Sequence, residues 1–143
     1  SMSKYFIQNQ GCKYDFDEYK IDKLRVSFIG DVRILERSGY GLEGKDFIFS
    51  DKYQVTIFSV EDVNGFEKAD IVLIAASGSL AKDSTLLQNC RKFAKGPIIV
   101  LGKDDETYSA NMLYAGADDY LKLPCSKRVL DTLIYIHVRR ELR

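Results

Sequence analysis

Two short apolar runs constrain the fold of this chain more than any other feature. Residues 71–74 read IVLI and residues 98–101 read IIVL, so neither run alternates with polar residues. An uninterrupted run of this length is typical of a parallel strand that is covered on both faces of its sheet. The sequence therefore predicts an α/β fold with helices on both sides of a parallel sheet.

Strand-length and helical segments alternate along most of the chain. Strands are predicted at 24–29, 53–58, 70–76, 97–101 and 119–123. Apolar spacing and stop signals predict helices at 84–94, 104–115 and 126–142, with Gly96-Pro97 and Gly116 ending the first two. This order indicates a flavodoxin-like, doubly wound sheet of five parallel strands in the order 2-1-3-4-5.

The first two helices of this order are predicted to be irregular. The first would span 32–51, but that segment contains Gly39, Gly41 and Gly44, and each glycine costs about 1 kcal/mol inside a helix. The second has only 61–68 available, with Gly65 inside it. We therefore expect a broken first helix and a second helix of one or two turns.

One folded domain is predicted at 23–143, preceded by an N-terminal extension at 1–22. A chain of 143 residues with 45% hydrophobic residues has enough apolar side chains for one core. The extension carries the aromatic residues Tyr5, Phe6, Tyr14, Phe16 and Tyr19. These favour packing of the extension on the domain or on a partner.

The composition excludes several classes of function. Lys plus Arg and Asp plus Glu both number 21, so no overall positive field attracts nucleic acid. The cysteines, Cys12, Cys90 and Cys125, have no metal-ligand spacing, and their odd number favours a reducing, cytoplasmic location over a disulfide scaffold. No apolar run approaches the roughly 20 residues of a membrane span. Contact with DNA would therefore require a separate output domain.

A nine-residue motif identifies the nearest family. Residues 116–124 read GADDYLKLP. This segment resembles the fifth strand of receiver domains in bacterial two-component response regulators, closest to the OmpR-type winged-helix regulators. The resemblance covers about 23–143 and implies the CheY-like version of the predicted fold. In the family, the residue before the proline is a catalytic lysine, whereas this chain has Leu123.

The resemblance also implies where a phosphorylation site would lie. Receiver domains phosphorylate an aspartate after strand three, with a magnesium ion on an acidic pair, a hydroxyl residue after strand four and the strand-five lysine. The matching positions here are Gly30, Asp31, Ala75, Gly102 and Leu123, of which only Asp31 keeps a polar side chain.

These substitutions remove the groups that phosphorylation requires. Alanine has no nucleophile, and one carboxylate is too few for a magnesium ion. The neighbouring Lys122 would lie on the opposite face of its strand. The sequence therefore predicts a domain that is not phosphorylated, holds no metal or other cofactor and is not an enzyme.

Two residues near this site have alternative interpretations. Tyr120 matches the family's switch aromatic, whose rotation follows phosphorylation, but a simple packing role is equally compatible with the sequence. Cys125 could be a reactive thiol, yet nothing near it in the sequence lowers its pKa, which favours an inert thiol.

A homodimer interface is predicted on the face of the fourth helix, fifth strand and fifth helix. Besides a core stripe, the last helix carries a second apolar arc, which is wider than a surface helix needs. The alternative is that the N-terminal extension covers this arc within one chain. The predicted interface residues are Tyr114, Asp118, Asp119, Val129, Leu133, Tyr135, Ile136, Arg139 and Arg140.

Together these features predict a phosphorylation-independent receiver-like domain that mediates homodimerisation, in a transcriptional regulator whose DNA-binding domain lies beyond this chain. The alternative is a sensor of a small ligand or anion in the vacated pocket. Three segments of small residues, Gly30-Asp31, Ser77-Gly78-Ser79 and Gly102-Lys103, follow strands at the carboxyl edge, where open α/β sheets bind ligands.

Overall fold

The five predicted strands are present and form one parallel sheet. A computed structural model describes residues 23–63 and 68–141 of the chain. The strands are β1 (Leu24–Ile29), β2 (Tyr53–Phe58), β3 (Ile71–Ala75), β4 (Ile98–Lys103) and β5 (Asp119–Leu123). Their order is β2-β1-β3-β4-β5, and all neighbouring pairs are parallel. The predicted fold class is confirmed.

Four α-helices connect or flank the strands in the described part of the chain. They are α1 (Lys45–Ile48), α2 (Leu80–Phe93), α3 (Glu106–Tyr114) and α4 (Lys127–Glu141). The helix α2 begins at Leu80 instead of residue 84, because the Ser79 side chain caps it by accepting a hydrogen bond from the Lys82 amide. The Asp105 carboxylate caps α3 in the same way, at 3.0 Å from the Tyr108 amide.

The segment between β1 and β2 is broken, as its glycines predicted. It consists of two 3₁₀ helices, Val32–Ser38 and Leu42–Gly44, followed by the single turn of α1. Gly44 has a φ of 75°, and a Cβ atom there would lie 2.7 Å from the Val32 carbonyl oxygen. A residue with a side chain would therefore disturb this turn. Between β2 and β3, residues 61–63 and Lys68 are not α-helical, and 64–67 lie outside the described residues.

The core has two layers, one on each face of the sheet. The α4 side chains Leu130 and Ile134 pack with the first connection on one face. On the other face, Leu87 of α2 and Met112 of α3 cover β3 and β4. No α-helix in the described part of the chain combines the length and apolar composition that a membrane span requires. The predicted extension at 1–22 lies outside the described residues.

Candidate functional site

The predicted phosphorylation-site positions come together at the carboxyl edge of the sheet. Gly30 follows β1 and Ala75 ends β3, and a Cβ atom on Gly30 would lie 3.1 Å from that of Ala75. Gly102 is in the last part of β4, and Leu123 ends β5 opposite Lys103. The strand register therefore supports the assignment of these positions, although the groups that carry phosphoryl chemistry are missing from them.

Asp31, the one carboxylate among these positions, is bound by a neighbouring cation. The Arg33 guanidinium donates to both of its oxygens, at 2.9 Å from Nε and from Nη2, and the Arg33 amide donates at 3.0 Å. The side-chain hydrogen bond from Arg33 is the main reason that the pKa of the Asp31 carboxyl lies below its usual value. The carboxylate is ionised at neutral pH but already paired.

The residues at this edge do not fit the magnesium ion that the resemblance implies. Magnesium requires several oxygen ligands in an octahedral arrangement, and here Asp31 is tied to Arg33. Within the described residues, no group of three His, Cys, Asp or Glu side chains could hold a metal ion. Lys122 pairs with Asp104 at 3.5 Å and does not line the cavity that Leu123 lines.

Tyr120 fills the space above Gly102, the position at which the resemblance implies a hydroxyl side chain. Its hydroxyl donates to the Lys103 carbonyl at 2.7 Å, and its ring centroid lies 6.2 Å from that of Tyr108. A Cβ atom on Gly102 would collide with the Tyr120 hydroxyl and would lie 2.9 Å from the Ala76 Cβ atom. The absence of a side chain at Gly102 therefore allows Tyr120 to pack inward. Burial raises the pKa of Tyr120.

A buried carboxylate holds the loop between β3 and α2. Asp83 is 2% exposed and accepts hydrogen bonds from the Ser77 amide at 2.9 Å and the Ser77 hydroxyl at 2.7 Å. Sequence reasoning missed Asp83. A signal for Asp83 is present in the sequence. Asp83 is an acidic residue in the first turn of a helix that Ser79 caps, and it lies one turn before the buried Leu86 and Leu87.

A cavity of about 400 Å³ lies at the carboxyl edge of the sheet, beside the positions that the resemblance assigns to phosphorylation. The first 3₁₀ helix, the loop after β3, the end of β4, the start of α3 and the end of β5 form its walls. Gly30, Asp31 and Ala75 are not among the lining residues, which include Arg33, Arg37, Gly78, Lys103, Tyr108 and Tyr120. Two of the three small-residue segments predicted to bind an anion thus contribute to one cavity, and Gly30-Asp31 does not.

The two flanks of α4 have different surroundings. Asp131 on one flank accepts hydrogen bonds from Lys52 Nζ, at 2.6 Å, and from the hydroxyl of Tyr53 on β2. His137 on the other flank lies 2.9 Å from Asp119 of β5, measured from Nε2 to Oδ2. One flank of α4 therefore faces β2, and the other faces the edge strand β5.

This orientation divides the predicted interface residues into two groups. Tyr135 follows Asp131 by about one turn, so it lies on the β2 flank, where the Arg139 guanidinium stacks over its ring at 5.3 Å. Asp118 pairs with Arg91 of α2 at 2.6 Å and accepts from the Ile98 amide. Tyr135, Arg139 and Asp118 therefore have contacts away from the other predicted interface residues, and we do not include them in the surface that is defined next.

The remaining predicted residues belong to α3, β5 and α4, and we call this set the β5 face. Both helices contact β5, the last strand of the described sheet, and the set includes one exposed residue, Leu113, that sequence reasoning missed. Tyr114 is 94% exposed, Val129 is 47% exposed and Leu113 is 46% exposed, whereas Leu133 is half-buried against the core. The β5 face consists of Leu113, Tyr114, Asp119, Val129, Leu133, Ile136 and Arg140.

The two described cysteines have environments that disfavour thiolate chemistry. Burial raises the pKa of Cys90 to about 11, and burial also raises the pKa of the half-buried Cys125. Both thiols are therefore mainly protonated at neutral pH. This agrees with the inert interpretation of Cys125.

Comparison with known proteins identifies the fold. Neither a protein-family model nor a curated protein sequence matches the chain. Among solved structures, a two-component response regulator from Clostridium difficile is 18% identical with a TM-score of 0.65, covering 83% of this chain and 98% of that chain.

Two further structures give the same result. A putative response regulator from Chloroflexus aurantiacus is 18% identical with a TM-score of 0.62, covering 82% of this chain and 99% of its own. The BeF3-activated N-terminal receiver domain of RstA from Klebsiella pneumoniae is 21% identical with a TM-score of 0.60, covering 80% of this chain and 98% of that chain. The chain has the receiver-domain fold, which confirms the resemblance at the level of the fold.

Proposed function

We propose that this chain is a receiver-like regulatory domain that forms a homodimer through its β5 face without being phosphorylated. The observation that carries the proposal is the packing of Tyr120 beside Gly102, a position that lacks the hydroxyl side chain of the family. Tyr120 occupies the space above Gly102 and is held by a hydrogen bond to the Lys103 carbonyl. Its conformation therefore does not depend on a phosphoryl group.

The chemistry of the edge supports independence from phosphate. Ala75 offers no nucleophile at the acceptor position, and the Asp31 carboxylate is neutralised by Arg33. Leu123 brings an apolar side chain to the position of the family's lysine. Since acceptor, metal ligands and lysine are all missing or occupied, we infer that the domain has no phosphotransfer activity and is not an enzyme.

The exposed apolar residues of the β5 face support the homodimer. Tyr114, Leu113 and Val129 expose about half or more of their surface at the edge of the sheet. Aromatic and aliphatic residues at the centre of a patch contribute most to the stability of protein interfaces. Asp119 and Arg140 bring opposite charges to the same surface, and a two-fold axis would allow one to approach the other across subunits.

We further propose that the domain serves a cytoplasmic transcriptional regulator of the OmpR type. The balanced charge of 21 basic and 21 acidic residues supports contact with DNA only through a separate output domain. The receiver domain of RstA, a structural neighbour, is an N-terminal domain, which is the arrangement that we propose here.

We expect incubation with acetyl phosphate and magnesium to leave the intact mass of the protein unchanged. The reason is that Ala75 has no side-chain atom that could accept a phosphoryl group. Intact-protein mass spectrometry tests this, with a receiver domain that keeps its acceptor aspartate as the positive control. A mass increase of one phosphoryl group on this chain would contradict the proposal.

A further inference from the structure

We infer that the cavity beside the emptied phosphorylation site binds a small aromatic anion, such as an aromatic carboxylate. This inference goes beyond the proposed dimerisation and does not depend on it, since the cavity and the β5 face share no residues. The cavity volume of about 400 Å³ lies within the range of small-molecule sites, roughly 300–1,000 Å³.

Two cationic side chains at the cavity have no counter-ion in the described part of the chain. The Arg37 guanidinium and the Lys103 ammonium line the cavity, and neither forms an ion pair with a described carboxylate. Arg33 also lines it but is already bound to Asp31. Asp105 is the one carboxylate among the lining residues, and its Oδ1 accepts a hydrogen bond from the Tyr108 amide. Arg37 and Lys103 together outweigh this single negative charge, which favours an anion.

A buried hydroxyl at the cavity has no hydrogen-bond partner. The Tyr108 hydroxyl oxygen is inaccessible to solvent, and no described residue bonds to it. Buried polar groups without partners are rare and cost free energy unless something satisfies them. Tyr108 lines the cavity, so a movement of its side chain on binding would bring this hydroxyl to a ligand oxygen that accepts its hydrogen bond.

The remaining walls favour an aromatic ligand over a bare inorganic anion. The rings of Tyr108 and Tyr120 lie 6.2 Å apart along one wall, and Ile34 and Leu123 supply aliphatic surface. Gly78, in the loop after β3, has no heavy atom within 4 Å of the position that a Cβ atom would take, so it leaves space in the cavity wall. An inorganic phosphate would leave these apolar surfaces uncovered, whereas a planar ring with one carboxylate covers them and reaches a cation.

Titration of the ¹⁵N-labelled protein with salicylate tests the inference. We expect saturable shifts of the backbone amide signals of Ser77, Gly78 and Lys103. Salicylamide, which has the same shape without the charge, should bind about 10-fold more weakly, because a charge-assisted hydrogen bond contributes more than a neutral one. Inorganic phosphate should also bind more weakly than salicylate.

Matched variants assign the binding to the cavity. The double variant Arg37→Gln and Lys103→Gln should weaken salicylate binding about 10-fold, because it removes both free cations. Both side chains are exposed, so the fold should remain intact. The control, Lys92→Gln with Arg128→Gln, removes the same charge from exposed positions outside the cavity and should bind as the parent does. Tyr108→Phe should weaken binding several-fold while keeping the ring.

Three results would overturn the inference. One is the absence of saturable shifts with salicylate at millimolar concentration. Another is that salicylamide or phosphate binds as tightly as salicylate. Equal binding of salicylamide would mean that the site does not recognise the charge, and equal binding of phosphate would mean that it does not recognise the ring. The third is an equal loss of salicylate affinity in the double cavity variant and in its charge-matched control. The loss would then come from the overall charge of the protein and not from the cavity.

Discussion

The Tyr114→Asp variant should be a monomer at concentrations where the parent is a dimer. Tyr114 is 94% exposed in the single chain, so the substitution should leave the fold intact. In the proposed dimer the same position lies next to Leu113, an exposed apolar residue of the β5 face, where the new carboxylate would lose its water. An uncompensated charge of this kind costs about 3–5 kcal/mol. The dimer dissociation constant should therefore rise at least 100-fold.

Sedimentation velocity over a concentration series measures this change. The matched control is Phe49→Asp, which introduces the same charge at a 76% exposed aromatic residue after α1, outside the β5 face. We expect Phe49→Asp to dimerise as the parent does. Equal dissociation constants for the parent and Tyr114→Asp would contradict the assignment of the interface.

Tyr114 is a better probe of the interface than the residues at the centre of α4. Leu133 is half-buried and packs against the hydrophobic core of its own chain. A charge at Leu133 would destabilise the fold as well as any interface, and the two effects could not be separated. Val129→Asp, at a 47% exposed position, is the second variant that should give a monomer.

The Gly102→Ala variant should be less stable than the parent by about 1–3 kcal/mol. The new methyl group would collide with the Tyr120 hydroxyl and approach the Ala76 Cβ atom at 2.9 Å. Tyr120 would then have to leave its position, losing its hydrogen bond to the Lys103 carbonyl and its packing on Tyr108. Urea denaturation followed by circular dichroism gives the free energy of unfolding.

A double-mutant cycle shows whether Tyr120 causes this loss. In the Tyr120→Ala background the ring is absent, so Gly102→Ala should cost less than it does in the parent by at least 1 kcal/mol. The ordinary preference of strands for alanine over glycine acts in both backgrounds and cancels in the cycle. Additive effects of the two substitutions would mean that Tyr120 does not depend on Gly102.

The fold was predictable because its signals are local. The continuous apolar runs of β3 and β4 predict buried parallel strands, and the three glycines between β1 and β2 predict a broken helix. Helix starts were less predictable. The start of α2 depends on the Ser79 cap, and a buried carboxylate, Asp83, fixes the preceding loop through Ser77.

The sequence indicated which positions meet at the carboxyl edge of the sheet but not how their side chains interact. The motif at 116–124 contains Tyr120 and Leu123, and the strand alignment that it sets assigns Gly102. The contact between Gly102 and Tyr120 joins two different strands, so no local sequence pattern predicts it. The orientation of α4 depends on Asp131, which bonds to Tyr53 across 78 residues of sequence. Helical periodicity alone therefore could not assign Tyr135 to the β2 flank.

Sedimentation velocity of the unmodified protein tests the central claim most directly. The series is run without a phosphodonor, and again with beryllofluoride and magnesium, which mimic the phosphorylated state of receiver domains. Because Tyr120 is held inward without a phosphoryl group, we predict a dimer whose dissociation constant is the same in both series. A monomer in the first series at all concentrations, or a dimer that appears only with beryllofluoride, would contradict phosphorylation-independent dimerisation.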